Sequence, residues 1–133
     1  MPLDRSLKDA PYAQRPAGLP GIDTLLPLLM GAVKNGRLGF EDFVQMCSET
    51  PARLFGLEHK GRIEEGADAD IVLVREGNTR RLKPAPTASG VAWSPFLGRE
   101  VGLLPEVVVA RGTIVARDGV LVDQVPEGRF LRT

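Results

Sequence analysis

The chain has one histidine, His59, and one cysteine, Cys47, among 133 residues. A catalytic histidine needs an orienting partner and access to substrate. Glu58 is only its neighbour in the chain, so His59 reads as an exposed linker residue after a helix. A metal centre needs several ligands at fixed spacing. Glu64, Glu65, Asp68 and Asp70 offer carboxylates, but no His-x-His and no cysteine pair accompanies them. A calcium loop starting at Asp68 would need a carboxylate at positions filled by Val72 and Thr79. Asp68 and Asp70 therefore read as turn and strand-entry residues whose side chains bond nearby backbone N–H groups. Cys47 falls on the apolar side of a helical pattern and reads as a buried structural thiol.

Gly18-Leu19-Pro20-Gly21 precedes a helix, where backbone N–H groups can face an anion. The Gly-x-x-x-x-Gly-Lys-Ser/Thr pattern of a full phosphate loop is absent. Trp93, in Ser89-Gly90-Val91-Ala92-Trp93-Ser94-Pro95-Phe96, reads as a packing residue rather than a stacking platform. Taken singly, these residues assemble no nucleophile, base or metal cluster.

The elements that would position them follow from periodicity. Residues 1–21 hold four of the eleven prolines and read as loop. Ile22, Leu25, Leu26, Leu29, Ala32 and Val33 share one face of a helix that stops at Lys34-Asn35-Gly36. Pro27 is tolerated in the first turn and kinks the helix if it lies deeper. A second helix fits 40–48, with Phe40, Phe43, Val44 and Cys47 on one side. Thr50-Pro51 reads as the N-cap and first residue of a separate short helix, 51–56.

Past Lys60-Gly61 the period changes. Ile71-Val72-Leu73-Val74 is a β-branched run suited to a strand covered on both faces. Residues 76–106, with Pro84, Pro86, Pro95 and Pro105, read as irregular. Residues 107–110 and 113–116 flank Arg111-Gly112 as a hairpin, and Asp118-Gly119 makes a second turn. The reading is two-part: 1–57 is loop and helix, 58–133 is rich in strand. That is an α+β organisation or pieces of two domains.

Seventeen basic and seventeen acidic side chains cancel to zero net charge, unlike the basic excess of a nucleic-acid binder. No apolar run reaches the roughly 18 residues of a membrane span. The N-terminus lacks the apolar stretch of a signal peptide, and a reduced cytoplasmic location is expected. The length falls below the ~200 residues that a complete (β/α)8 barrel needs.

The ordered motifs carry more than any single residue. They are Ala17-Gly18-Leu19-Pro20-Gly21-Ile22-Asp23-Thr24-Leu25, Val33-Lys34-Asn35-Gly36-Arg37-Leu38, Thr50-Pro51-Ala52-Arg53-Leu54-Phe55-Gly56-Leu57 and Gly61-Arg62-Ile63-Glu64-Glu65-Gly66-Ala67-Asp68-Ala69-Asp70. Trp93-Ser94-Pro95-Phe96-Leu97-Gly98 and Ala110-Arg111-Gly112 complete the series. In this order the chain resembles the C-terminal part of a dihydroorotase, in the cyclic amidohydrolase group with allantoinases and dihydropyrimidinases.

The resemblance implies an α+β piece of an α/β fold. Residues 1–57 would be terminal helices of a metal-dependent (β/α)8 hydrolase barrel. Residues 58–133 would be strands of the accompanying small β-sandwich domain. It implies hydrolysis or formation of a cyclic amide by one or two metals, usually zinc, that activate water and polarise the carbonyl. The family's ligands lie upstream of the matched region, so no metal or other cofactor is expected in this chain, and Asp4 and Asp9 inherit no role. The family's loop before this helix lends backbone groups to the cyclic substrate, and Pro16-Ala17-Gly18 occupies that place. Ala17 and Gly18 are thus the implied substrate contacts. Without the upstream ligands the isolated chain is expected to be inactive; the alternative is a non-catalytic scaffold or partner subunit that completes a barrel or assembles with another chain. The partners expected are a second copy of the chain or a chain supplying the rest of the barrel, with no nucleic acid and no membrane.

Overall fold

The computed structural model describes residues 4–83, 93–122 and 128–131. Pro84, Pro86 and residues 89–92 of the tryptophan motif lie outside the described residues. Two 3-10 turns, Arg5–Lys8 and Tyr12–Gln14, punctuate the N-terminal loop. Then come α1 (Ile22–Lys34), α2 (Phe40–Val44), a π turn (Gln45–Glu49) and α3 (Thr50–Leu54). Strands β1 (Ile71–Arg81), β2 (Glu100–Ala110), β3 (Thr113–Arg117) and β4 (Val120–Leu121) form one antiparallel sheet in sequence order. The fold is a small α+β unit, and no described helix is long and apolar enough to cross a membrane.

Chain punctuation explains most boundaries. α1 ends at the Asn-Gly signal: Gly36 turns left-handed at φ 65°, and its N–H bonds the Val33 carbonyl at 3.0 Å. Both hairpin turns have two positive-φ residues: Arg111 at 48° with Gly112 at 79°, and Asp118 at 49° with Gly119 at 81°. That is the twist-matched geometry of two-residue hairpin loops.

Four expectations need correction. First, α1 buries Thr24, Pro27, Met30 and Gly31, whereas Ile22 and Leu25 of its periodic stripe are 84% and 60% exposed. The sheet-facing side is mostly small because the helix comes close to β2. A Cβ on Gly31 would stand 3.8 Å from the Glu100 carbonyl and 3.9 Å from Val101. The core is α1 on β2, with Met30 and Val101 almost wholly enclosed and Val107 and Ala52 also buried.

Second, 40–54 is one unbroken helical run. Glu49 and Thr50 both have right-handed helical backbone, and neither caps a new helix with its side chain. The wide π turn ahead of Pro51 explains how proline sits there. A regular helix would press its ring against the carbonyl four residues back.

Third, residues 76–81 and 100–106 are strand rather than irregular. Pro105 is tolerated because the β1–β2 register slips beside it: Leu73 faces Val107 but Val74 faces Pro105. β3 begins pairing with β2 only at Val107, so Pro105 lies where the strand has no second neighbour. Fourth, 71–74 is not covered on both faces. β1 is an edge strand, with Val72 and Leu73 about half exposed.

Candidate functional site

Ala17 and Gly18 sit in an exposed loop whose carbonyls are fixed from two sides. Asp4 caps the first 3-10 turn by accepting from the Ser6 N–H at 2.9 Å, which holds its carboxyl below the ordinary range. That turn delivers Lys8, whose Nζ donates to the Pro16 carbonyl at 2.5 Å and the Gly18 carbonyl at 2.6 Å. On the other side the Ser94 hydroxyl donates to the Pro20 carbonyl at 3.3 Å and accepts from the Phe96 N–H at 3.3 Å. Gly18 itself is left-handed, at φ 84°. Among the described residues no acceptor takes the N–H of Ala17 or Gly18.

Sequence reading missed Lys8 and Ser94. Both act on backbone carbonyls, and Ser94 does so from 74 residues away. Carbonyl acceptors leave no side-chain signature in a sequence.

The other candidates are placed elsewhere. His59 is exposed in a turn, with Nδ1 3.2 Å from the Gly66 carbonyl. Cys47 is exposed rather than buried. It lies inside the π turn. Trp93 is half-buried.

Asp68 and Asp70 meet at Lys60. Lys60 Nζ is 2.7 Å from Asp68 Oδ2 and also pairs with Asp70. The second Asp70 oxygen accepts the Arg111 N–H at 2.7 Å, which ties the 57–70 linker to the β2–β3 turn. The Lys60 ammonium, and then the Arg111 N–H, hold the Asp70 carboxyl below its ordinary range. Bonds to Asp68 and Asp70 raise Lys60 above its ordinary value.

A carboxylate stabilised in the fold contributes above its unfolded pKa of about 3.9 and loses that contribution as pH falls through the lower folded value. Asp70→Asn should therefore lower the urea midpoint at pH 7 but change it little near pH 2. With the Asp70 side chain 39% exposed, the effect should stay within about 1 kcal/mol. A constant difference at both pH values would show that the ion pair contributes nothing specific.

A catalytic metal does not fit these residues. Among the described residues no three His, Cys, Asp or Glu side chains come together. Asp68 and Asp70 are both already engaged by Lys60. A groove of about 660 Å³ runs between the 45–53 helix and the 56–62 turn, lined by Glu49, Arg53, Leu57, Lys60 and Arg62. It shares no residue with the 16–18 loop, and Arg62 in it is already paired with Glu64 at 2.5 Å.

The sequence pattern of the Amidohydrolase family matches residues 21–115. A dihydroorotase of Halobacterium salinarum is 41% identical over 114 residues, covering 86% of this chain and 27% of that protein. A D-hydantoinase of Ralstonia pickettii is 30% identical over 130 residues, covering 97% of this chain and 28% of its own length. Among solved structures, a D-hydantoinase (dihydropyrimidinase) from Thermus sp. superposes with TM-score 0.80 at 32% identity, covering 89% of this chain and 26% of that one. The chain thus spans about a quarter of the length of these relatives.

Proposed function

From the premise that this chain belongs to the amidohydrolase family, we propose that it is the C-terminal quarter of a dihydroorotase-type cyclic amidohydrolase. In this reading residues 1–57 close a (β/α)8 barrel and residues 58–133 belong to its small β domain. The whole assembly opens or closes a cyclic amide C–N bond, with dihydroorotate as the first substrate to test. The observation that carries the reading is the match to dihydroorotases over most of the chain, led by 41% identity.

Two features of the fold support it. α1 carries a second apolar stripe, Ile22 and Leu25, turned away from its own sheet. Phe40, Leu54 and Phe55 are also more than half exposed. Apolar surface of this kind marks a face that another body covers, here the remainder of the barrel. A chain with one histidine supplies scaffold and substrate loop to such an enzyme, not its metal ligands.

By itself the 133-residue chain should hydrolyse no dihydroorotate, with or without added zinc. Co-expression with a polypeptide that carries the family's His-x-His region should restore turnover. Hydrolysis by the purified chain alone would overturn the scaffold reading. The exposed stripe favours assembly, so light scattering should show oligomers of the isolated chain. A monodisperse monomer would count against that part.

A further inference from the structure

We propose that Lys34 is a strap: it carries the end of α1 across β2 and holds the bulge in β1 shut, so that the helix and the edge strand move as one body. Under the function proposed above, α1 belongs to the barrel and β1 to the β domain, and the strap joins the two parts. The strap itself rests on geometry alone.

β1 has surplus backbone where the strap lands. Glu76 faces Leu103 and Arg80 faces Val101, so residues 77–79 stand opposite Gly102 alone. Surplus residues in a strand leave backbone groups that the ladder does not pair. The Gly77 carbonyl, at the start of this bulge, accepts from Lys34 Nζ at 3.0 Å. Lys34 is the last residue of α1. The helix packs on β2, and among the described residues the backbones of α1 and β1 do not touch. The side chain therefore spans a gap that the two elements do not close themselves.

The crossing is possible because β2 is bare beneath it. A Cβ on Gly102 would stand 2.8 Å from Lys34 Nζ and 2.9 Å from Cε, and closer still to Cδ. Glycine weakens a strand interior, and it marks places where another group comes close to the backbone. Here that group is the lysine stem. One side chain thus explains the fate of a bulge carbonyl and the presence of a glycine in mid-strand.

The consequence is local. The Lys34–Gly77 bond is exposed, and it fastens the end of an edge strand beyond its bulge. Such an end can open while the rest of the sheet stays paired. The Leu82 N–H, bonded to the Arg99 carbonyl at 2.9 Å, reports that end. The Gly112 N–H, bonded to the Ala69 carbonyl at 2.9 Å, reports the opposite end of β1.

The test is native-state hydrogen exchange of the full chain, read at single amides by mass spectrometry with fragmentation, at a dilution where the chain is monomeric. The forms are wild type, Lys34→Met, Lys34→Ala, Gly102→Ala and the Lys34→Ala/Gly102→Ala pair. Lys34→Met keeps the stem and loses the donor. Gly102→Ala keeps the lysine and fills its seat, and the atoms it displaces belong to a flexible side chain. In each single variant the Leu82 N–H should exchange about fivefold faster, as expected for the loss of one ordinary hydrogen bond. The Gly112 N–H should keep its wild-type rate. The pair should exchange no faster at Leu82 than Lys34→Ala alone, because the new methyl then has no strap to displace.

Unchanged Leu82 exchange in Lys34→Met would overturn the strap. An additive pair would overturn it too, since the glycine and the lysine would then act separately. Equal acceleration at Leu82 and Gly112 would show a global loss of stability and would likewise overturn it. None of these rates depends on cyclic-amide turnover, so the strap and the proposed function can fail separately.

Discussion

Met30→Ala should remove about 2–5 kcal/mol of stability, the range for truncating an enclosed large side chain. Met30 is 1% exposed, and no other described side chain is as fully enclosed. It lies on α1 next to Gly31, which comes up against Val101 of β2. The other buried residues on that side of the helix are Thr24 and Pro27, which bring little apolar area to compensate. Small domains have about 5–15 kcal/mol in total, so one truncation here consumes a large share. Urea denaturation followed by Trp93 fluorescence measures it. The paired control is Leu25→Ala, at a residue 60% exposed, which should shift stability by no more than about 0.5 kcal/mol at a dilution where the chain is monomeric. Equal losses at both positions would mean that α1 packs by its periodic stripe after all, and would contradict the observed face.

That contrast shows how much of the fold was written in the residues. Helix α1 and its Asn-Gly stop were legible, because capping and periodicity are local. Its orientation was not. Ile22, Leu25, Leu26 and Leu29 make the stronger apolar stripe, yet the sheet takes the side with Thr24, Pro27 and Gly31. A close helix–strand approach selects small residues, which periodicity does not count. Both hairpin turns were legible from Arg111-Gly112 and Asp118-Gly119 because turn chemistry is local as well. The long upper halves of β1 and β2 were not, since Pro105 reads as a strand breaker until the bulge beside it is known.

At the candidate site, the place of Ala17 and Gly18 came from motif order. Lys8 and Ser94, which hold that loop, were invisible because their partners are backbone carbonyls. Asp68 and Asp70 read as turn residues bonding nearby backbone N–H groups, but Asp68 pairs with Lys60 instead, and Asp70 bonds Lys60 and a distant N–H. The tie from Asp70 to Arg111, 41 residues on, needed the fold.

The second large effect is at Gly61, where alanine should cost about 2–5 kcal/mol. Two independent penalties meet there. The backbone is left-handed, φ 83°, which for a residue with a Cβ costs about 1–2 kcal/mol. A Cβ would also stand 2.7 Å from the Ala52 Cβ and 2.7 Å from the Ser48 carbonyl oxygen. Neither neighbour is the flexible end of a side chain, so backbone must move, and overpacking of this kind costs about 1–3 kcal/mol. The clash should be separable from the strain. Ala52→Gly removes one of the two close atoms, so the Gly61→Ala/Ala52→Gly pair should be non-additive in the direction of partial rescue. Strict additivity would leave backbone conformation as the whole cause. Gly61 also adjoins Lys60, which gathers Asp68 and Asp70. Displacing the turn should part Lys60 from them, so folded Gly61→Ala should lose the acid-dependent stability assigned to Asp70. If its stability still falls with acid as the wild type's does, the turn has kept its place and the steric account of Gly61 is wrong.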